Sequence, residues 1–172
     1  MTKKFYSKFE TERLHLKVTD VQDAAFILKL LNTPKWISFI GDRNVHSVAD
    51  AKTYIAEKMT PQFERLGYSN YTLMRKSDSS KLGNCGLYDR EGLDGIDIGF
   101  ALLPEYEGMG YAFEAASKLK DIAVNELGLK SMRAITTKEN FSSQKLIEKL
   151  GLHLEGTTKI PGDDEELLLY SL

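Results

Sequence analysis

The sequence predicts an α+β fold, a mixed sheet with helices covering both of its faces. Three observations carry that reading. Two helical patterns come early, a run of strand patterns follows, and that run is interrupted twice by helices. The 172 residues hold no internal repeat, low-complexity tract or linker, so a single domain over residues 1–172 is expected, long enough to enclose a core. With 42% apolar and 28% charged residues, the composition is that of an ordinary soluble globular protein.

Thr11–Thr19 alternates Leu14, Leu16 and Val18 with polar residues, the pattern of a half-buried strand. Asp20 can cap a helix through Ala24, Ile27, Leu28 and Leu31, and Asn32-Thr33-Pro34 ends it. Trp36–Ile40 is a short apolar piece with the look of a broken helix. Ser47–Arg65 reads as one helix, with Ser47 at its N-cap and Ala51, Ile55 and Met59 along one face. Strands then take over at Tyr68–Arg75 and Lys81–Tyr88, joined by the polar hairpin loop Lys76–Ser80. Gly95–Leu103 is the next strand, with Ile96, Ile98, Phe100 and Leu102 on one face. Pro104 stops it, because proline cannot donate into a ladder. The stripe Ala112, Ala115, Ala116, Leu119, Ile122 and Ala123 has the three-four spacing of a helix, which Gly128 ends. Met132–Thr137 is a strand, and Asn140 opens a helix through Leu146, Ile147 and Leu150 that Gly151 closes. Leu152–Thr158 and Glu166–Tyr170 complete the sheet.

Composition excludes several functions. A net charge of −2 with scattered lysines and arginines leaves no basic stripe for nucleic acid. The single cysteine, Cys85, forbids an intrachain disulfide, and its apolar strand context marks it as a small core side chain. His15, His46 and His153 lie in unrelated segments, so neither a catalytic triad nor a metal site is expected. The opening Met-Thr-Lys-Lys-Phe-Tyr does not lead into an apolar stretch, and no run approaches about eighteen apolar residues. The expectation is a cytoplasmic protein without a membrane span.

The informative segment is Leu102-Leu103-Pro104-Glu105-Tyr106-Glu107-Gly108-Met109-Gly110-Tyr111-Ala112. A strand stops at proline, glycines crowd the turn, and a helix begins. Free amides at a helix N-terminus, reinforced by the helix dipole, make an anion site, and glycines let a phosphate approach without a Cβ in the way. Phe113 stands where a dinucleotide fingerprint needs its third glycine, and no Gly-Lys-Ser/Thr follows, so neither nucleotide motif is met. A plain helix-start turn has the same glycines. The place between a strand and a long helix favours phosphate.

Leu103–Ala116, reading Leu-Pro-Glu-Tyr-Glu-Gly-Met-Gly-Tyr-Ala-Phe-Glu-Ala-Ala, resembles the acetyl-CoA motif of the GNAT superfamily, especially its Rim-type (RimJ/RimL) ribosomal-protein N-acetyltransferases. Arg13-Leu14-His15-Leu16, Ile98-Gly99-Phe100-Ala101-Leu102 and Asn140–Leu152 are similar to the opening strand, the fourth strand and the cleft-closing helix of that branch, in the same order. The resemblance implies a GNAT fold whose sheet splays between its fourth and fifth strands, here Gly95–Leu103 and Met132–Thr137. It implies acetyl-CoA as co-substrate, with pantetheine on the main chain of Leu102 and Leu103 and pyrophosphate on the amides of Gly108, Met109, Gly110, Tyr111 and Ala112. Glu107 departs from the residues usual at its place, and its carboxylate is expected to turn away from the phosphates.

Direct acyl transfer to an amine needs a base, a held carbonyl and a protonated leaving thiolate. A free main-chain N–H near Leu102 can polarise the carbonyl. Asp97 is the first candidate base, on the strand that reaches the thioester and on the face opposite Ile96 and Ile98; a solvent-facing carboxylate is the plainer reading. Asp89 and Glu91 are weaker candidates. Asn140 serves as an N-cap, and the resemblance also sets its side chain against the cofactor; Lys145 can approach the ribose phosphate, although an exposed helix lysine is the plainer reading. Many relatives carry a tyrosine seven residues after the cleft asparagine, where this chain has Ile147, and some Rim-type relatives use a serine at the position of Ser143. The resemblance therefore makes Ser143 the candidate acid. Trp36, Phe39, Tyr68 and Tyr71 are the aromatic candidates for the acceptor wall. The acceptor is a protein N-terminus or a small amine such as a polyamine, sugar amine or antibiotic. The rival class is a non-catalytic acyl-CoA-binding sensor or scaffold. The edges of a splayed sheet permit a homodimer without requiring one.

Overall fold

The computed structural model describes residues 2–172. In chain order the elements are β1 (Lys8–Glu10), β2 (Leu14–Val18), α1 (Ala24–Leu31), α2 (Pro34–Phe39), α3 (Val48–Lys58), α4 (Thr60–Leu66), β3 (Asn70–Arg75), β4 (Lys81–Tyr88), β5 (Ile96–Leu102), α5 (Tyr111–Asn125), β6 (Met132–Thr136), α6 (Phe141–Lys149), β7 (His153–Thr158) and β8 (Leu167–Ser171). The strands form one eight-stranded sheet ordered β1-β2-β3-β4-β5-β6-β8-β7. Its neighbours are antiparallel except β5 and β6, which run parallel through only two pairs, Ile96↔Met132 and Asp97↔Arg133. Beyond Asp97, β5 continues along β4 as far as Leu102, while β6 continues along β8. The sheet therefore opens into a V on the C-terminal side of those two pairs.

Local chemistry accounts for the helices. Asp20 forms a capping box with Asp23, starting the 3₁₀ turn that leads into α1. Thr33 accepts from the Trp36 amide and Pro34 takes the first helical position, so the apolar piece after α1 is a helix in its own right. The single helix expected over Ser47–Arg65 is two. Pro61 has no N–H, and its ring would clash with the carbonyl four residues back, so α3 ends at Lys58 and Pro61 falls in the first turn of α4, where no donor is needed. The three residues of β1 escaped the sequence reading because so short an edge strand carries no period to detect.

The main core lies between the sheet and α5 with α6. Leu14, Leu16, Tyr71, Leu73, Leu82, Cys85, Leu87 and Ile98 come from the strands, Ala115, Ala116 and Leu119 from α5, and Ile147 and Leu150 from α6. A second cluster joins Ala24, Ile27 and Leu31 of α1 to Ala51 and Ile55 of α3. The small residues along α5 let the helix sit close on the sheet, which fixes where its N-terminus emerges.

Glu114, in the first turn of α5, locks that emergence. It accepts hydrogen bonds from Thr11 Oγ1 (2.6 Å), the Arg13 N–H (3.1 Å) and Arg13 Nε (2.9 Å). Burial pushes its carboxyl up, but the bonds from Thr11 and Arg13 outweigh that and hold it below its ordinary value of 4.5. Glu114→Gln should lower stability at neutral pH by about 1–2 kcal/mol, or roughly 2–8 °C in Tm. A folded-state pKa below the unfolded one means the stabilisation is fully present above pH 4.5 and is lost as pH falls through the folded value. Thermal melts across pH should thus show the two proteins converging in acid, and a difference that persists undiminished to the acid end of the series would assign the effect to something other than this carboxylate.

Candidate active site

The Leu103 N–H meets the Leu82 carbonyl at 2.8 Å on the β4 side, and the Ile96 N–H meets the Ser131 carbonyl at 3.0 Å on the other side. Main-chain groups alternate between the two edges of a strand, so those of Phe100 and Leu102 point away from β4. With no β6 partner after Asp97, they open into the V. Such an edge suits an extended ligand that carries amides of its own. Leu103 does not belong to it, a correction to the sequence expectation. Its N–H is spent on Leu82, its carbonyl takes the Tyr106 N–H at 3.0 Å, and its side chain is buried. Phe100 occupies the alternate position on the open edge; its role depends on strand register, which no residue pattern announces.

A 3₁₀ turn at Pro104–Tyr106 carries the chain to Gly108 and Gly110, both in the left-handed region at φ 74° and 82°. Gly110 is the N-cap of α5 and supplies no side-chain cap. Among the described residues, no amide from Gly108 to Phe113 has an acceptor. This run of free donors at the start of a fifteen-residue helix is an anion cradle. Arg13 holds the turn from behind, its Nη1 donating to the Met109 carbonyl at 3.0 Å and its guanidinium lying 4.3 Å from the Tyr111 ring centroid. The Tyr111 side chain is buried and that of Met109 exposed; what each adds to the run is its main-chain N–H. Glu107 does not turn away. It lines the cleft, and Lys35 of α2 pairs with it at 2.6 Å, which removes the repulsion its carboxylate would exert on phosphate.

The cleft has two continuous halves. The first, about 510 Å³, is lined by Lys35, Leu102, Glu107, Gly108, Ala112, Ser142 and Leu146. The second, about 440 Å³, lies over the sheet and is lined by Asn70, Asn84, Tyr88, Arg90 and Asp97, with Tyr54 and Lys58 from α3. Both volumes are in the range of small-molecule sites, roughly 300–1,000 Å³. Trp36, Phe39, Phe100, Ala101, Asn140 and Ser143 line both halves and so mark the junction. Asn140 caps α6 by accepting from the Ser143 N–H at 3.3 Å. The Ser143 hydroxyl makes no hydrogen bond among the described residues.

Tyr71 is removed from the acceptor wall. Its side chain is 0% exposed in the core facing α5, where its hydroxyl donates to the Tyr6 carbonyl at 2.7 Å. Strand alternation explains this, since Tyr71 points opposite to Asn70 and Thr72. Tyr68 is likewise core, Lys145 lines neither half, and Asp89 pairs with Arg65 at 2.7 Å away from the cleft. Glu91 is exposed outside it. Cys85 is fully buried, burial pushes its thiol far up, and no group of three metal-binding side chains exists among the described residues.

Asp97 is not solvent-facing. It is 2% exposed, at the vertex of the V, and pairs with Arg90 Nε at 2.5 Å through Oδ2. The β4–β5 hairpin creates the pair, because Tyr88↔Asp97 register sets Arg90 just beyond the end of β4. Burial pushes the Asp97 carboxyl up against the opposing pull of Arg90, and the Ile135 N–H pulls weakly in the same sense as Arg90. Oδ1 is buried without a hydrogen-bond partner. Arg90 also lies over the Tyr88 ring at 4.9 Å, and the Tyr88 hydroxyl donates to Asn70. A Cβ at Gly86 would come within 2.5 Å of that ring, so the floor of this half requires glycine there.

The chain matches the model of the acetyltransferase (GNAT) domain over residues 13–153. It is 26% identical over 151 residues to the uncharacterized N-acetyltransferase YoaA of Bacillus subtilis, covering 87% of this chain and 85% of that one. The fold superposes on an acetyltransferase from Agrobacterium tumefaciens with a TM-score of 0.81 at 21% identity, over 100% and 98% of the two chains. It also superposes on RimL, a ribosomal L7/L12 α-N-protein acetyltransferase solved in complex with coenzyme A, with a TM-score of 0.79 at 16% identity over 94% of each. With a family model spanning most of its length and the split sheet and free-amide turn in place, the chain belongs to the GNAT acetyltransferase family and is an acyltransferase.

Proposed function

We propose that this enzyme transfers an acetyl group from acetyl-CoA directly to a primary amine. The observation that carries the reading is continuity: the open edge of Phe100 and Leu102 leads into the unpaired amides of Gly108–Phe113. One such path suits a ligand with amides at one end and a pyrophosphate at the other, and RimL, which shares the fold, was solved with coenzyme A. When bound, acetyl-CoA supplies an acyl thioester and a thiolate leaving group. The N–H groups of Phe100 and Leu102 are the donors in place to hold its carbonyl oxygen. Asp97 takes the proton of the incoming ammonium on its unpartnered Oδ1, while Arg90 keeps Oδ2 and stops the carboxylate from turning away. Ser143, at the junction with a free hydroxyl, relays a proton from solvent to the departing sulfur, taking up one proton as it passes on the other. Ile147 stands where many relatives carry a tyrosine; it is buried and donates no proton. A thiol with a pKa near about 8.5 leaves tolerably well near neutral pH, so assistance from Ser143 is helpful rather than indispensable. The buried Cys85 thiol lines neither half, so no acyl-enzyme is involved.

Gly110→Val should abolish acetyl-CoA binding in calorimetry, since a branched side chain opposes φ 82° and crowds the cradle, while far-ultraviolet dichroism stays intact. Wild-type affinity in a folded variant would sink the cradle. Ser143→Ala should lower kcat by about one to two orders of magnitude, near the lower edge of what a positioned acid contributes, with little change in KM for acetyl-CoA. Wild-type kinetics would reduce Ser143 to a polar residue of the first turn. Asp97→Asn should lower kcat/KM by about 10²-fold or more. It should also remove the acid limb of the pH profile, which in the wild type lies above the ordinary 3.8 because burial raises this carboxyl. A profile whose limb survives the substitution would assign the base elsewhere.

A further inference from the structure

The acceptor half carries charges that acyl transfer itself does not use. Its charged lining residues are Arg43, Lys58, Arg90, Asp97 and Asp163. Arg90 and Asp97 neutralise each other as a buried pair. Arg43 and Lys58 are exposed, have no carboxylate partner among the described residues, and line this half alone. Asp163, held in its own loop by the Glu165 N–H, is the one carboxylate opposing them. Two cations without carboxylate partners and the interior carboxylate Asp97 therefore line the same half. On the sheet floor of the same half, Asn84 is 3% exposed, yet its carboxamide makes no hydrogen bond among the described residues. That carboxamide is open to the cleft rather than sealed in the core, so it is available to the polar atoms of a ligand.

Resting on the transfer reading above, we propose that the acceptor is an acidic amine, one that carries a carboxylate or phosphate beside its primary amine. Its ammonium goes to the Asp97 end, its anion goes to Arg43 and Lys58, and Asn84 hydrogen-bonds the polar segment that joins them. Arginine offers a forked set of donors to a carboxylate or phosphate and lysine a compact charge, so the two cations serve either anion. The same arrangement works against polyamines, whose second ammonium would meet the two cations Arg43 and Lys58 with Asp163 as the single carboxylate beside them.

The test compares matched acceptors on the CoA-loaded protein by calorimetry and, with acetyl-CoA, by thiol release. The probes are alanine against alaninamide, phosphoethanolamine against ethanolamine, and spermidine. At least one acidic member should bind about tenfold tighter than its neutral partner and than spermidine, as charge-assisted bonds at a cleft mouth allow. The favoured pair tells carboxylate from phosphate. That preference should shrink with added salt in the wild type and vanish in Arg43→Glu/Lys58→Glu, with acetyl-CoA affinity as the folding control. Should the double variant not fold, Arg43→Gln and Lys58→Gln singly, with the salt titration, decide the same point. Equal or tighter binding of the neutral amines or of spermidine, no binding of either acidic member, or a preference indifferent to salt and to both cations overturns the proposal. Selective binding of an acidic amine without thiol release from any probe overturns acetyl transfer and supports the acidic site, whereas thiol release from all amines alike does the reverse.

Discussion

Two residue pairs hold β5 to β6, and the cleft exists because the pairing ends there. A sheet normally satisfies every strand edge or exposes it to water. Here the edge of Phe100 and Leu102 is unpaired yet set inside the molecule, open to a V whose other wall is β6 with its partner β8. The chain keeps the V from closing by packing, since α5 and α6 share one core with the strands on either side of the split. The N-terminus of α5 then emerges at the end of the same open edge, so the strand edge and the anion cradle are consequences of one break in the sheet.

Burying a carboxylate at the vertex of that break is costly, and the protein meets the cost with half a solution. Arg90 satisfies one oxygen of Asp97, and the other is left without a bond. A fully paired carboxylate would be inert, and an unpaired one would be protonated by its surroundings. The observed compromise leaves one oxygen of a carboxylate that lines the cleft unspent, while its burial raises its affinity for a proton. Tyr88, packed over Gly86 and beneath Arg90, fixes the guanidinium and thus indirectly the orientation of the free oxygen.

Much of this was legible in the residues. Apolar alternation located the strands, the alanine stripe located α5, and the glycines after Pro104 located the cradle, because each reflects a local rule of backbone or burial. What escaped depends on register. Tyr71 read as an acceptor aromatic, yet one step of strand alternation puts it in the core, and Asn70 beside it faces the cleft instead. Leu103 lies one residue beyond the open edge, a distinction set by its bond to Leu82. The Ser47–Arg65 helix is the exception, since Pro61 stood in the sequence as a local signal and the long apolar face outweighed it in the reading.

Lys35 shows the same dependence at longer range. Glu107 beside a phosphate cradle looks like a defect when the turn is read alone. In the folded chain, α2 brings Lys35 across the cleft to pair with it, and α2 starts where it does because Thr33 caps it and Pro34 opens it. The acceptor-side helix is thereby tied to the donor-side turn, with Trp36 and Phe39 of that helix at the junction between the halves. An exposed ion pair of this kind contributes little to stability. Its consequence is electrostatic and positional: it offsets a negative charge beside the free amides of Gly108–Phe113 and seats two aromatic rings where the two halves of the cleft join.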